Sequence, residues 1–266
     1  MSAEALRTGP PEAPAWPCRF CGLDVGRGGA VELPEHPDYR VIAGPEAPPQ
    51  GWSRRRGVAV IADVAPLTDR HVLLLPPDHV SATALMPTAA AADLRVVAQR
   101  LVRKLSASGR VVVTFEHGST PGPPHRAKCA STEHAHVHLV GLAPGADPLP
   151  ALAAGVEGSG GTIERIPTGR AEPLREALRA TGEYHVLTVW DGVGDPTVRL
   201  AVGAGCSARQ VFRRLLVESG VVAAPDRVDW ESGAMYPSAG MRADLVASAA
   251  FIGRALSPIR LEPAPR

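Results

Sequence analysis

His134-Ala135-His136-Val137-His138-Leu139-Val140 decides how this chain is read. On an extended strand, side chains alternate between faces, so the three histidines point one way and Ala135, Val137 and Leu139 point the other, into a core. Next-but-one side chains lie roughly 6–7 Å apart, given a rise of about 3.3 Å per residue. Such a row of imidazoles can follow a chain of phosphate oxygens or crowd around one metal ion. Three uses compete. Solvated surface histidines fit poorly, because three of the chain's nine histidines alternate here with apolar residues. A catalytic metal site suits neutral imidazole, but strand-borne metal enzymes usually add a carboxylate in step, and Glu133 faces the opposite side. Phosphorus chemistry is the favoured reading: a neutral imidazole near pH 7 is a nucleophile, and neighbouring histidines can hold charge on phosphate oxygens.

Working outward from this row, the sequence reads as α+β. Val58–Asp63 and Val72–Leu75 are β-branched runs separated by a turn with Pro66 and Asp69, as paired strands require. A short strand is expected at Tyr39–Ala43. Thr88 opens a helix whose Leu94, Val97, Leu101 and Leu105 share one face, and Gly109 ends it. Val111–Phe115 is a buried strand, followed by a Gly/Pro-rich loop at 118–124. Residues 143–182, polar and poor in aromatics, read as a linker or an elaboration. Strands are expected at His185–Trp190 and Val198–Val202. Ser207 with Gln210 three residues on gives the capping pattern of a further helix, its apolar face being Val211, Phe212, Leu215 and Leu216. Strand–strand–helix–strand order without regular alternation points to an antiparallel sheet with packed helices.

Composition narrows the partners. The chain has 266 residues, is 45% hydrophobic and carries a formal charge of +1. That length can bury a sizeable core, and so balanced a charge gives no overall field for nucleic acid or an anionic membrane. No run approaches the roughly 18 apolar residues of a membrane span, and the N-terminus lacks a secretory pattern. A cytoplasmic protein is expected, with residues 1–17 disordered. Of the four cysteines, Cys18 and Cys21 form a C-x-x-C pair, which in a reducing compartment points to metal binding or redox chemistry.

The pattern His-φ-His-φ-His-φ-φ resembles the signature of the histidine-triad superfamily. A second segment agrees without a gap: Asp63-Val-Ala-Pro-Leu-Thr-Asp-Arg-His71-Val-Leu-Leu-Leu-Pro-Pro-Asp-His79-Val looks like that superfamily's strand–turn–strand, D-φ-x-P-x-x-x-x-H-φ-L-φ-φ-P-x-x-H-φ. The resemblance covers about residues 18–142. It implies a catalytic domain at 18–145 and an appended C-terminal α/β region at 146–266.

By that resemblance His136 attacks the α-phosphorus of a nucleotide, giving a nucleotidyl-histidine that water or another acceptor resolves. His138 and His134 complete the triad, with His138 on the phosphate oxygens. Asp63 would hydrogen-bond the ribose hydroxyls, and His71 and His117 would also lie at the substrate. Ser131, five residues before the nucleophile, would reach the leaving group, although Cys129-Ala130 replaces the usual Gly-Gln before it. Zinc-bearing members and the related galactose-1-phosphate uridylyltransferases imply a structural zinc on Cys18, Cys21, His79 and His134. Those relatives also imply either a homodimer or an intrachain pseudo-dimer in which residues 146–266 act as a degenerate second half. The helix after Ser207 carries Arg209, Arg213 and Arg214, which serve either as a solvated basic face or as contacts to a substrate phosphate. The expected activity is hydrolysis of a nucleotide conjugate. The alternatives are transfer of the nucleotide to a sugar phosphate or inorganic phosphate, and a nucleotide-binding scaffold that turns over slowly.

Overall fold

β-branched runs and one-sided apolar helices assemble into a single antiparallel sheet with helices on both faces, an α+β fold. In this computed structural model the described residues are 20, 30–33, 36–43, 58–63, 65–76, 78–120, 134–158, 160–190, 196–202, 210–223 and 238–256. The strands are β1 (Ala30–Leu33), β2 (His36–Ala43), β3 (Ala59–Ala62), β4 (His71–Leu75), β5 (Val112–Ser119), β6 (Val137–Gly141), β7 (Thr162–Arg165), β8 (Glu183–Trp190) and β9 (Thr197–Val202). They lie side by side as β1-β2-β3-β4-β6-β5-β8-β9-β7. The helices are α1 (Thr88–Ser106), α2 (Leu149–Gly158), α3 (Glu172–Thr181), α4 (Val211–Glu218) and α5 (Ala239–Leu256).

Strand alternation sorts the layers. Val112, Thr114 and Glu116 of β5 look toward α1 and α3, while Val113, Phe115 and His117 look the other way. On the first face, Leu94, Val97, Leu101 and Leu105 of α1 and Leu245, Phe251 and Ile252 of α5 bury against Val72, Leu74, Val112 and Leu139. On the other, Leu152 of α2 and Phe212 and Leu216 of α4 bury against Val113, Phe115, Val140 and Leu187. Truncating one of these fully buried leucines costs about 2–5 kcal/mol.

The order strand–helix–strand–strand occurs twice, as β4-α1-β5-β6 and as β7-α3-β8-β9. Across the sheet the six strands read β4-β6-β5 and then β8-β9-β7, the same order reversed about the β5/β8 seam. That seam is fully paired, from Val112 opposite Trp190 to Ser119 opposite Glu183.

Several expectations are corrected. Residues 143–182 are not a linker: they form α2, β7 and α3. Their cores rest on few residues, such as Leu152 and Val156 in α2, and alanine-rich turns between them give a weak periodic signal. α5 was not foreseen for the same reason, being built largely of Ala, Gly and Ser. β2 is longer than Tyr39–Ala43 and pairs with β1. The fourth helix starts at Val211, and Gln210, in the left-handed region at φ 62°, is its N-cap with no side-chain cap. Ser207, Arg209 and the N-terminal 1–17 lie outside the described residues. No helix among the described residues is long and apolar enough to cross a membrane.

Candidate active site

The site forms where β4, β5 and β6 lie side by side beneath α4. β4 pairs with β6 (His71 opposite Val140, Leu73 opposite His138), and β5 pairs with β6 with Phe115 opposite His138. The histidine row is only partly a strand, because β6 begins at Val137. His134 and His136 sit in the extended chain leading into it, held by the Ala135 N–H donating to the Val80 carbonyl.

His136 Nδ1 lies 2.9 Å from the carbonyl oxygen of His134. A carbonyl can only accept, so Nδ1 carries the proton and the lone pair is on Nε2. Burial first, and His138 beside it, lowers its pKa to about 3 against the donation to the His134 carbonyl, so the ring is neutral at pH 7. The His136 and His138 rings meet edge to face at 5.0 Å.

His138 is oriented by a relay. The Leu67 N–H donates to His71 Nδ1 at 3.0 Å, which leaves the His71 proton on Nε2. That Nε2 lies 2.9 Å from His138 Nδ1, so His71 donates and the remaining His138 proton is on Nε2. Phe115 stacks on His138 at 4.4 Å and 14°. Burial pushes both imidazoles down, Asp63 opposing.

Asp63 is buried, and its oxygens are taken by protein groups. Oδ1 accepts from the Ala65 N–H at 2.8 Å and Oδ2 accepts from Arg213 Nη1 at 3.2 Å. Burial alone would raise its pKa; His71 and Arg213 outweigh that and hold it well below the usual carboxylate range. Oδ2 also lies 3.4 Å from His71 Nε2 and 3.5 Å from His138 Nδ1, so the carboxylate expected at the ribose stands beneath the imidazole relay. Arg213, whose guanidinium also donates to the Ala65 carbonyl, is buried and is not part of a solvated face. Arg214 pairs with Glu218 on the surface at 3.0 Å.

Two places bear on a metal, and among the described residues the first has a full ligand group. Asp63, His71 and His138 bring one ligand atom each within 4.8 Å of one another, so this buried group can hold a metal ion. Its atoms are already satisfied by the imidazole–imidazole hydrogen bond, and the Arg213 cation touches the same carboxylate oxygen. The second lies at the other end of the row. His79 and His134 meet edge to face at 5.4 Å, and Phe20, between the two cysteines of the C-x-x-C pair in sequence, packs on His134 at 5.8 Å and on His136 at 5.9 Å. His134 Nε2 donates to the Pro76 carbonyl at 2.9 Å, so the neutral ring's lone pair is on Nδ1, the atom a metal would take. Cys18, Cys21 and Ser131 lie outside the described residues. His134 thus turns away from His138 toward the Pro76–His79 segment.

His117 sits on the site face of β5, its Nε2 3.0 Å from Glu183 Oε2, and it stacks on His185 at 4.1 Å. His185 is buried and packs against Phe212. Sequence reasoning missed Glu183 and the inward turn of Arg213, since neither belongs to a motif and both are brought in by tertiary packing. No family model matches the chain, and none of the curated proteins matches it in sequence.

Proposed function

We propose that this protein is a nucleotide hydrolase of histidine-triad type, in which His136 attacks the α-phosphorus of a nucleotide conjugate. The observation that carries this is the pair of fixed tautomers: His136 with its lone pair on Nε2, and beside it His138 with its proton on Nε2. The first is a nucleophile; the second is a donor for a phosphate oxygen on which charge develops. Attack forms the N–P bond while the bond to the leaving group breaks, and water then cleaves the nucleotidyl-histidine. Transfer to a sugar phosphate would be favoured by a separate acceptor pocket, which the arginines of the last third of the chain could line. Arg213 faces Asp63 and Arg214 pairs with Glu218, so hydrolysis is the reading kept.

Cys18, Cys21, His79 and His134 would hold a zinc ion, whose part is to tie the N-terminal segment to the histidine row. Thiolate ligands fit a reducing compartment, the cytoplasm. The reversed strand order about the β5/β8 seam supports an intrachain pseudo-dimer. Matching β5 to β8 and β6 to β9 through their pairings sets His136 and His138 against Val198 and Leu200, a second half without a triad.

The test is incubation with dinucleoside polyphosphates, nucleotide sugars and adenosine phosphoramidate, with His136→Ala alongside. Release of nucleoside monophosphate by the native protein alone supports the reading. Tight nucleotide binding without product across the panel would favour the scaffold alternative.

A further inference from the structure

The catalytic row does not stop at β6. Phe115 of β5 is opposite His138, and because the two strands run antiparallel, His117, two residues on and on the same face, continues toward His136. One strand further, His117 is opposite His185 of β8. His117 and Glu183 keep 17% and 18% of their side chains accessible, so the pair is open to a bound molecule, whereas His185 beneath is 3% exposed. Glu183 comes from the other side of the seam, so neither half of the sheet holds the pair alone.

We propose that His117 and Glu183 form an acid–base dyad serving the leaving group and the attacking water, a role that rests on the nucleophilic reading of His136. Glu183 accepts from His117 Nε2–H, which makes Nδ1 the nitrogen that exchanges a proton. In the first step the His136 Nε2–P bond forms and the P–leaving-group bond breaks. The leaving atom takes that electron pair and the proton from Nδ1 of a protonated His117. In the second step a water oxygen bonds to phosphorus, its proton passes to the now neutral His117 Nδ1, and the N–P electron pair returns to His136. The enzyme is restored with no further reactant. His185, held neutral by burial, stacks on His117 as an uncharged platform. The substrate class that needs such a dyad has a poor leaving group, an alkoxide or an amine, and not an acidic phenol.

The test uses the full chain and 5′-esters of AMP and UMP with 4-nitrophenol, phenol and methanol. In the native protein the rate should change little with the acidity of the leaving alcohol. Followed as first-turnover release of the alcohol, which precedes the water step, His117→Gln should lose roughly 10²–10⁴-fold on the methyl ester and far less on the 4-nitrophenyl ester, with Glu183→Gln following the same order. Equal losses on all three esters, or none, would overturn the dyad while leaving His136 in place. A steep leaving-group dependence in the native protein overturns it even where His117→Gln does not fold. No turnover by the native protein on any ester would overturn the nucleophilic reading, and the dyad with it.

Discussion

Arg213 reaches across the site face from α4 and sets its Nη1 3.2 Å from Asp63 Oδ2, both side chains buried. This contact ties the last third of the chain to the carboxylate beneath the His71–His138 relay. It gives the C-terminal region a part in the site that no motif in it announces.

Removing one partner of that pair leaves an uncompensated buried charge, which costs about 3–5 kcal/mol. Arg213→Met should therefore lower the urea midpoint steeply. Arg213→Met combined with Asp63→Asn should recover part of the loss, because the pair is then replaced and not broken. Strict additivity of the two single losses would show that they do not interact.

Acid should weaken the fold in a defined window. Burial, with His117 adding to it, holds His185 at about 3 against an ordinary 6.5. Between those values the unfolded chain binds a proton that the folded chain refuses, so stability falls as pH drops from about 6.5 toward 3. Each such group contributes up to about 1.4 kcal/mol per pH unit. Urea melts at pH 7.5 and 5 should show a smaller acid loss for His185→Phe than for the native protein.

Gly118 has no room for a side chain: a Cβ there would run into the Tyr184 ring. Tyr184 donates to buried Glu116 at 2.9 Å, and the Glu116 carboxylate also accepts from the backbone N–H of Thr83. Gly118→Ala should destabilise by roughly 1–3 kcal/mol through overpacking, and Gly118→Ala with Tyr184→Leu by less than the two changes summed. Thermal melts of the three variants give the answer.

Zinc content separates the two donor groups. One zinc per chain is expected by elemental analysis, lost in His79→Ala and Cys18→Ser and kept in His138→Ala. Loss in His138→Ala with retention in His79→Ala would place the ion on Asp63, His71 and His138 instead.

The sequence revealed what short-range pattern controls. Leu94, Val97, Leu101 and Leu105 announced α1, the run from Val72 to Leu75 announced β4, and the apolar alternation around His138 announced β6, though not the turn of His134 away from it. It concealed what depends on distant contacts. α3 depends on Leu174, Ala177 and Leu178 packing near Tyr184, an apolar set too small to stand out. Arg213 and Arg214 are neighbours with the same chemistry, yet one is buried on Asp63 and the other pairs with Glu218, a choice set by how α4 lies on the sheet. Glu183 gains its meaning only from the β5/β8 seam.

The central claim is the nucleophile. The most direct measurement is the intact mass of the protein after brief reaction with adenosine phosphoramidate and with an AMP aryl ester, quenched in base because histidine phosphoramidates hydrolyse in acid. The account predicts a nucleotide-sized increase that peptide mapping assigns to His136 and that is absent from His136→Ala, with turnover falling roughly 10⁴-fold or more in that variant. Product formation that persists in His136→Ala, or an adduct on another residue, would contradict it.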